Sequence, residues 1–153
     1  MTLSFDSNVL IDLMRSDRAH IRSRMRAAQA RGEDLIVSTI VAQKLAFGAH
    51  ASARPAHQLE LFGAILEPFR VESWSWEDAL ATGRLRADRE RLGRRLPAYD
   101  LMIAGQALAR GWTVITANVR DFWEVEGLKI QDWSDPGQVK AIAGGLQYRP
   151  PPR

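Results

Sequence analysis

The feature that most limits the fold is an alternation. Between residues 3 and 133, apolar runs of three or four residues are separated by longer stretches with helical periodicity. The runs are "LSF" (3–5), "LIV" (35–37), "FRV" (69–71), "TVIT" (113–116) and "LKIQ" (128–131), each of strand length and bounded by turn or capping residues. The stretches between them predict a helix from Ser7 or Asn8 through Met14, an arginine-rich helix over about 20–31 and a helix capped by Ser38 and stopped by Gly48. A further helix opens at Pro55 and ends near Glu67-Pro68. Another runs from about Trp76 to Leu92 and is closed by Gly93, and the last lies in "LPAYDLMIAGQALARG", between Pro97 and Gly111. Strand-helix alternation of this kind argues for an α/β fold: a parallel sheet of about four to five strands with helices on both faces. Right-handed crossovers then place the ligand site at the carboxyl ends of the strands.

The 153 residues suit one domain. Its expected bounds are 1–133, with residues 134–153 as a C-terminal extension whose end, "GGLQYRPPPR", predicts a flexible tail. No apolar run reaches the length of a membrane span, and "MTLSFDSNVL" lacks the pattern of a secretory leader. With no cysteine there is neither a disulfide framework nor a thiolate metal site, and a cytoplasmic protein is the expectation. The net charge of +3 and pI near 9.8 are compatible with a nucleic-acid partner without requiring one. The arginine-rich stretches "RSDRAHIRSRMRAAQAR" and "RLRADRERLGRR" read first as solvated helix faces.

Three aspartates fall where this topology gathers residues. Asp6 follows the first strand, Asp121 follows "TVITANVR", and Asp100 lies in the first turn of a helix whose residues Leu101, Ile103, Ala104 and Leu108 pack on the sheet. One such aspartate is usually a cap or turn residue. Three at one sheet edge repel one another and call for a compensating cation. Oxygen donors without cysteine or histidine select Mg²⁺, with Mn²⁺ as the alternative. A metal held by acids at a sheet edge is apparatus for phosphodiester hydrolysis. His20, His50 and His57 match neither zinc spacing nor a triad; phosphate-binding loops of the GxxxxGK[ST] and GxGxxG types are absent, and Ser4, Ser7 and Ser38 have no histidine partner. One cation needs a partner. Lys44 falls within the apolar stripe Ile40, Val41, Leu45 and Phe47, and a lone ammonium is costly to bury. The commonplace explanation is that its stem lies along apolar surface while its head reaches water.

Four stretches, "FDSNVLIDL" (5–13), "STIVAQKLAFGA" (38–49), "GRLRADRERLGRRLPAYDLMIAGQALARG" (83–111) and "TANVRDFWEVEGLKIQDW" (116–133), resemble in order and spacing the PIN-domain toxins of the VapC type. The resemblance implies a PIN-like three-layer sandwich and a Mg²⁺-dependent endoribonuclease acting on specific cellular RNA. It also implies a homodimer, silenced by a VapB-type DNA-binding antitoxin through which operator DNA is met only indirectly. Asp6, Asp100 and Asp121 are similar to the family's metal-binding acids, and Ser7 and Asn118 to the polar residues that support them. The family has a glutamate where this chain has Lys44. From the resemblance, Lys44 is expected at the catalytic site, pointing at Asp6 and Asp100, filling part of the role of a metal or opposing its binding. The toxin is then inactive or crippled, by an engineered or a natural change. The alternative is a non-catalytic PIN-fold binding module that retains antitoxin binding. A phosphoacceptor receiver domain fits poorly, because Asp6 has no acidic neighbour and "FRV" leads into "ESWSW".

Overall fold

All five apolar runs become strands in the computed structural model, which describes residues 1–145. β1 (Thr2–Phe5) is followed by α1 (Ser7–Leu13), a 3-10 turn at Ser16–Arg18 and α2 (Ala19–Ala30). β2 (Asp34–Ser38) leads into α3 (Thr39–His50) and α4 (Pro55–Leu66), and β3 (Arg70–Glu72) into α5 (Trp76–Arg91) and α6 (Ala98–Arg110). β4 (Thr113–Ile115), α7 (Val119–Phe122), β5 (Lys129–Asp132) and β6 (Lys140–Ala143) complete the order. The strands form one sheet in the order β3-β2-β1-β4-β5-β6, parallel except for β6, which runs antiparallel to β5.

The order fixes where a ligand can sit. From β1 the chain moves outward to β2 and β3, then returns to β4 on the other side of β1. With right-handed crossovers, the reversal puts α1–α4 on one face and α5–α6 on the other. The crevice at the carboxyl ends of β1 and β4 is the switch point of the sheet. The strands beside it are fully buried: Leu3, Phe5, Ile36, Val37, Val114 and Ile115 are each 0% exposed, as expected of parallel strands covered on both faces. Phe5 meets Phe69 and Trp133 edge-to-face, with centroids 5.0 and 5.3 Å away, a geometry that suits the ring quadrupoles.

Several expectations change. The sheet has six strands rather than four to five. The extension from 134 is not all tail: residues 140–143 form β6, and Gly144 and Gly145 then donate to the carbonyls of Leu128 and Trp123 at 2.6 and 2.8 Å. A Cβ at Gly144 would lie 2.2 Å from the Val125 carbonyl oxygen, so only glycine permits that approach. Residues 146–153, the rest of the expected tail, lie outside the described residues. Gly48 does not stop α3, which continues to His50 because Val41, Leu45 and Ala49 hold one buried face along its whole length. Phe47 is not on that face; it is 69% exposed.

Candidate active site

Asp6 follows β1 and caps α1. One carboxylate oxygen accepts the Ser7 backbone N–H at 2.7 Å and the Ser7 hydroxyl at 3.4 Å, while the other accepts the Thr116 hydroxyl at 2.9 Å. Thr116 lies just past β4 and is wholly buried; its Oγ1 also accepts from the Asn118 N–H at 3.0 Å and the Asn8 side-chain amide at 3.4 Å. Two strand ends are thus stitched across the switch point by one aspartate, one threonine and one asparagine. Thr116 and Asn8 were not among the residues expected at the site. The signal for Thr116 lay in "TAN", a turn residue directly after a strand and facing Asp6.

Asp100 stands in the first turn of α6 and is 9% exposed. Its pKa is raised from the ordinary 3.8 to about 6. Burial is the main cause, followed by the nearby carboxylates of Asp6 and then Asp121; a hydrogen bond shared with Asp121 adds to the rise, and the Lys44 ammonium works against it. Asp121 sits in α7, where the exposed Asn118 donates its side-chain amide to the Asp121 carboxylate. The three aspartates and Asn118 therefore meet at the carboxyl edge of the sheet, with Ser7 bonded to Asp6.

Lys44 reaches this group by its field rather than by contact. It lies half-buried on α3, and its ammonium is 5.5 Å from the centroid of the Tyr99 ring, the residue before Asp100. Its place is the rim of the site, between the exposed Phe47 and Tyr99, and not the buried stripe of α3. Phe47 belongs to that rim as well, which is why a lysine three residues before it needs no buried partner.

A second buried aspartate, absent from the expected set, shows what a structural carboxylate looks like in the same molecule. Asp78 is 0% exposed. It accepts from Arg110 at 2.7 and 3.0 Å, from Gln106 at 3.0 Å and from the Ser75 N–H at 2.8 Å. Burial pushes its pKa up, but the Arg110, Ser75 and Gln106 bonds together outweigh burial and hold it below the ordinary range. Asp78 is a paired ion joining α5 to α6; Asp100 is a buried acid among other acids.

Oxygen donors crowded in this way suit a hard divalent cation, which commonly takes one or two carboxylates and completes its shell with water. Asp6 and Asp100 match that requirement in kind. Among the described residues no three His, Cys, Asp or Glu side chains are gathered into a metal cage, so a cation here would rely on two carboxylates and water.

The model of the PIN domain family matches residues 4–128. The chain belongs to the PIN-domain family. Within that family the chain is similar to VapC proteins. A tRNA(fMet)-specific endonuclease VapC of Salmonella typhimurium is 33% identical over 128 residues, covering 84% of this chain and 95% of the relative. The protein of the same name from Shigella flexneri is 32% identical over 129 residues, covering 84% and 96%. The crystal structure of DNA-bound VapBC from Salmonella typhimurium superposes with a TM-score of 0.80 at 32% identity, covering 87% of this chain and 98% of that one. VapBC2 of Rickettsia felis, bound to a promoter DNA fragment, shares the PIN fold with a TM-score of 0.83 at 21% identity, covering 88% and 100%. No helix among the described residues is long and apolar enough to cross a membrane.

Proposed function

We propose that this PIN-domain chain is a VapC-type toxin of a type II toxin–antitoxin pair: by descent a Mg²⁺-dependent endoribonuclease (Mn²⁺ serving as well), and in this sequence crippled by Lys44. The observation that carries the reading is Asp100, a buried carboxyl pushed to about 6 by burial and by Asp6 and Asp121 at the switch point of the sheet. A structural carboxylate would be paired, as Asp78 is. The VapC relatives support the reading, and their names make the initiator tRNA the first substrate to try. The partners under this reading are a VapB-type antitoxin, operator DNA through that antitoxin, and a second copy of the chain, in the cytoplasm.

When bound, a divalent cation would activate water and shield the charge developing on phosphorus. The chain's own residues prepare the site for it. Thr116, Ser7 and the α1 N-terminus hold Asp6 as an acceptor in one orientation. Burial and the neighbouring acids leave the Asp100 carboxylate short of a counter-charge, which a divalent cation would supply. Asn118 orients Asp121. Lys44 opposes all of this: its ammonium lowers the pKa of Asp100, and a fixed positive charge repels a second one.

The test is cleavage of total RNA and of purified initiator tRNA with Mg²⁺ or Mn²⁺, comparing this chain with Lys44→Glu, Lys44→Ala and an Asp6→Asn control. Lys44→Glu is expected to cut and the unmodified chain to cut little or not at all. Lys44→Ala should recover only part, because it removes the cation without returning a carboxylate. Equal cleavage by the unmodified chain and Lys44→Glu would refute the impairment. No cleavage by Lys44→Glu would favour the second reading, a binding module that keeps the fold and the antitoxin, for which Lys44 itself is the supporting observation.

A further inference from the structure

Beside the acids lies a recess that the proposed chemistry does not use. Its walls are Gln43, Lys44 and Phe47 from α3 and Tyr99 from α6, and it encloses about 330 Å³, near the lower end of small-molecule sites, roughly 300–1,000 Å³. Phe47 is 69% and Tyr99 44% exposed. Residues 44 and 47 share a helix face, so the ammonium and the Phe47 ring border the same opening. The ammonium stands 5.5 Å over the Tyr99 ring, and both aromatic groups lie at the rim instead of in the core. Tyr99 directly precedes Asp100.

We propose that this recess holds an unpaired nucleobase of a single-stranded RNA, stacked on Phe47 and Tyr99 beside the carboxylates. The inference rests on the ribonuclease reading and adds what that reading lacks, a means of gripping the substrate. Three features favour a base over an apolar peptide side chain. Exposed aromatic rings are what unstacked bases need, and a base on Tyr99 takes the place that the Lys44 ammonium holds over that ring, freeing the ammonium for a phosphate. The Gln43 amide both donates and accepts, as a base edge requires. Lys44 sets one positive charge where a phosphate must approach three acids. A base in a duplex hides both of its faces, so the recess discriminates single from double strands.

The experiment is fluorescence anisotropy with the full chain in EDTA, so that binding is read without cleavage. The probes are a short labelled single-stranded RNA, the same sequence as a duplex, and the same strand with abasic positions. The variants are Phe47→Ala, Tyr99→Leu and Tyr99→Phe, all at exposed positions. The single strand should bind the unmodified chain more tightly than either the duplex or the abasic strand. Phe47→Ala and Tyr99→Leu should each weaken it by roughly 5- to 150-fold, the size of one lost stacking contact, and Tyr99→Phe should retain it. If the single strand binds and neither variant weakens it, the recess is not a base site and the ribonuclease reading stands. If no RNA binds the unmodified chain, the inference falls, while the ribonuclease reading is decided separately by cleavage with Lys44→Glu. If the variants change only the oligomeric state in sedimentation velocity, the recess is an interface between copies and the inference is overturned.

Discussion

Asp100→Asn should make the protein more stable at neutral pH and less sensitive to pH. The carboxyl titrates at about 6 in the folded chain against an ordinary 3.8, and each pH unit of difference is worth about 1.36 kcal/mol. Ionised Asp100 therefore costs the fold about 3 kcal/mol above pH 7. The sign follows from proton counting. Between about pH 4 and 6 the folded chain holds a proton that the unfolded chain has lost, so stability falls as pH rises through that window. Below about 4 both states are protonated and the cost vanishes; above about 6 it is complete. Asparagine keeps the shape and removes the charge. Urea unfolding of both proteins in EDTA at pH 5.0 and 7.5 reads the effect of Asp100 and its coupling to Asp6, Asp121 and Lys44, since groups that do not interact with it cancel in the difference between variant and parent. The variant should gain up to about 3 kcal/mol at pH 7.5, equivalent to roughly 6–12 °C in Tm for a chain of this size, and distinctly less at pH 5.0. A variant no more stable than its parent at pH 7.5, or a gain independent of pH, would show that Asp100 is not held among uncompensated carboxylates.

The remaining expectations concern the same balance of charge and packing. Lys44→Glu should lower Tm in EDTA by adding a carboxylate to the group, and should show a larger Mg²⁺-dependent rise in Tm than the unmodified chain; an equal rise in both would remove Lys44 from the account of metal binding. Arg110→Ala leaves the buried Asp78 without its cation and Glu72 with only the exposed Arg70, and should cost roughly 3–5 kcal/mol in urea unfolding, as broken buried pairs do. Gly105→Ala would place a Cβ 2.0 Å from the Thr82 hydroxyl and 2.8 Å from its Cα, where α5 and α6 touch, so the helices must move apart, at a cost of about 1–3 kcal/mol by thermal denaturation.

How much of this was legible depended on whether a residue's role was set locally. The strands β1–β5 and the helix starts at Ser38, Pro55 and Pro97 were readable because caps and apolar runs act within a few residues. β6 was not, because "KAIA" carries little apolar pattern and is held by docking: Ile142 pairs with Ile130, and Gly144 reaches the Leu128 carbonyl across the sheet edge. Gly48 misled for the opposite reason. Glycine weakens a helix by about 1 kcal/mol, less than the burial of Leu45 and Ala49 on either side returns. The positions of Asp6, Asp100 and Asp121 followed from topology, but their support did not. The Thr116 bond to Asp6 spans 110 residues, and no spacing rule reaches that far.

The two buried aspartates carry the distinction between structure and function one step further. Asp78 and Asp100 lie on consecutive helices with comparable burial, and their pKa values move in opposite directions. What separates them is the company each keeps. Asp78 meets a guanidinium, an amide and a backbone N–H, so its charge is answered within the chain and the fold gains from it. Asp100 meets two carboxylates and, at a distance, the Lys44 ammonium. An acid whose charge the chain leaves largely unanswered lowers stability, and a fold keeps such a residue where something outside the chain answers it. Lys44 supplies part of that answer from within. It follows that the more completely Lys44 compensates the acids, the less the site retains for a cation, so that stability in EDTA and response to Mg²⁺ should move in opposite directions across substitutions at position 44. A series of Lys, Gln, Ala and Glu at this position, each melted with and without Mg²⁺, should show the two quantities anticorrelated. If both rise together, the ammonium and the cation are not competing for the same carboxylates.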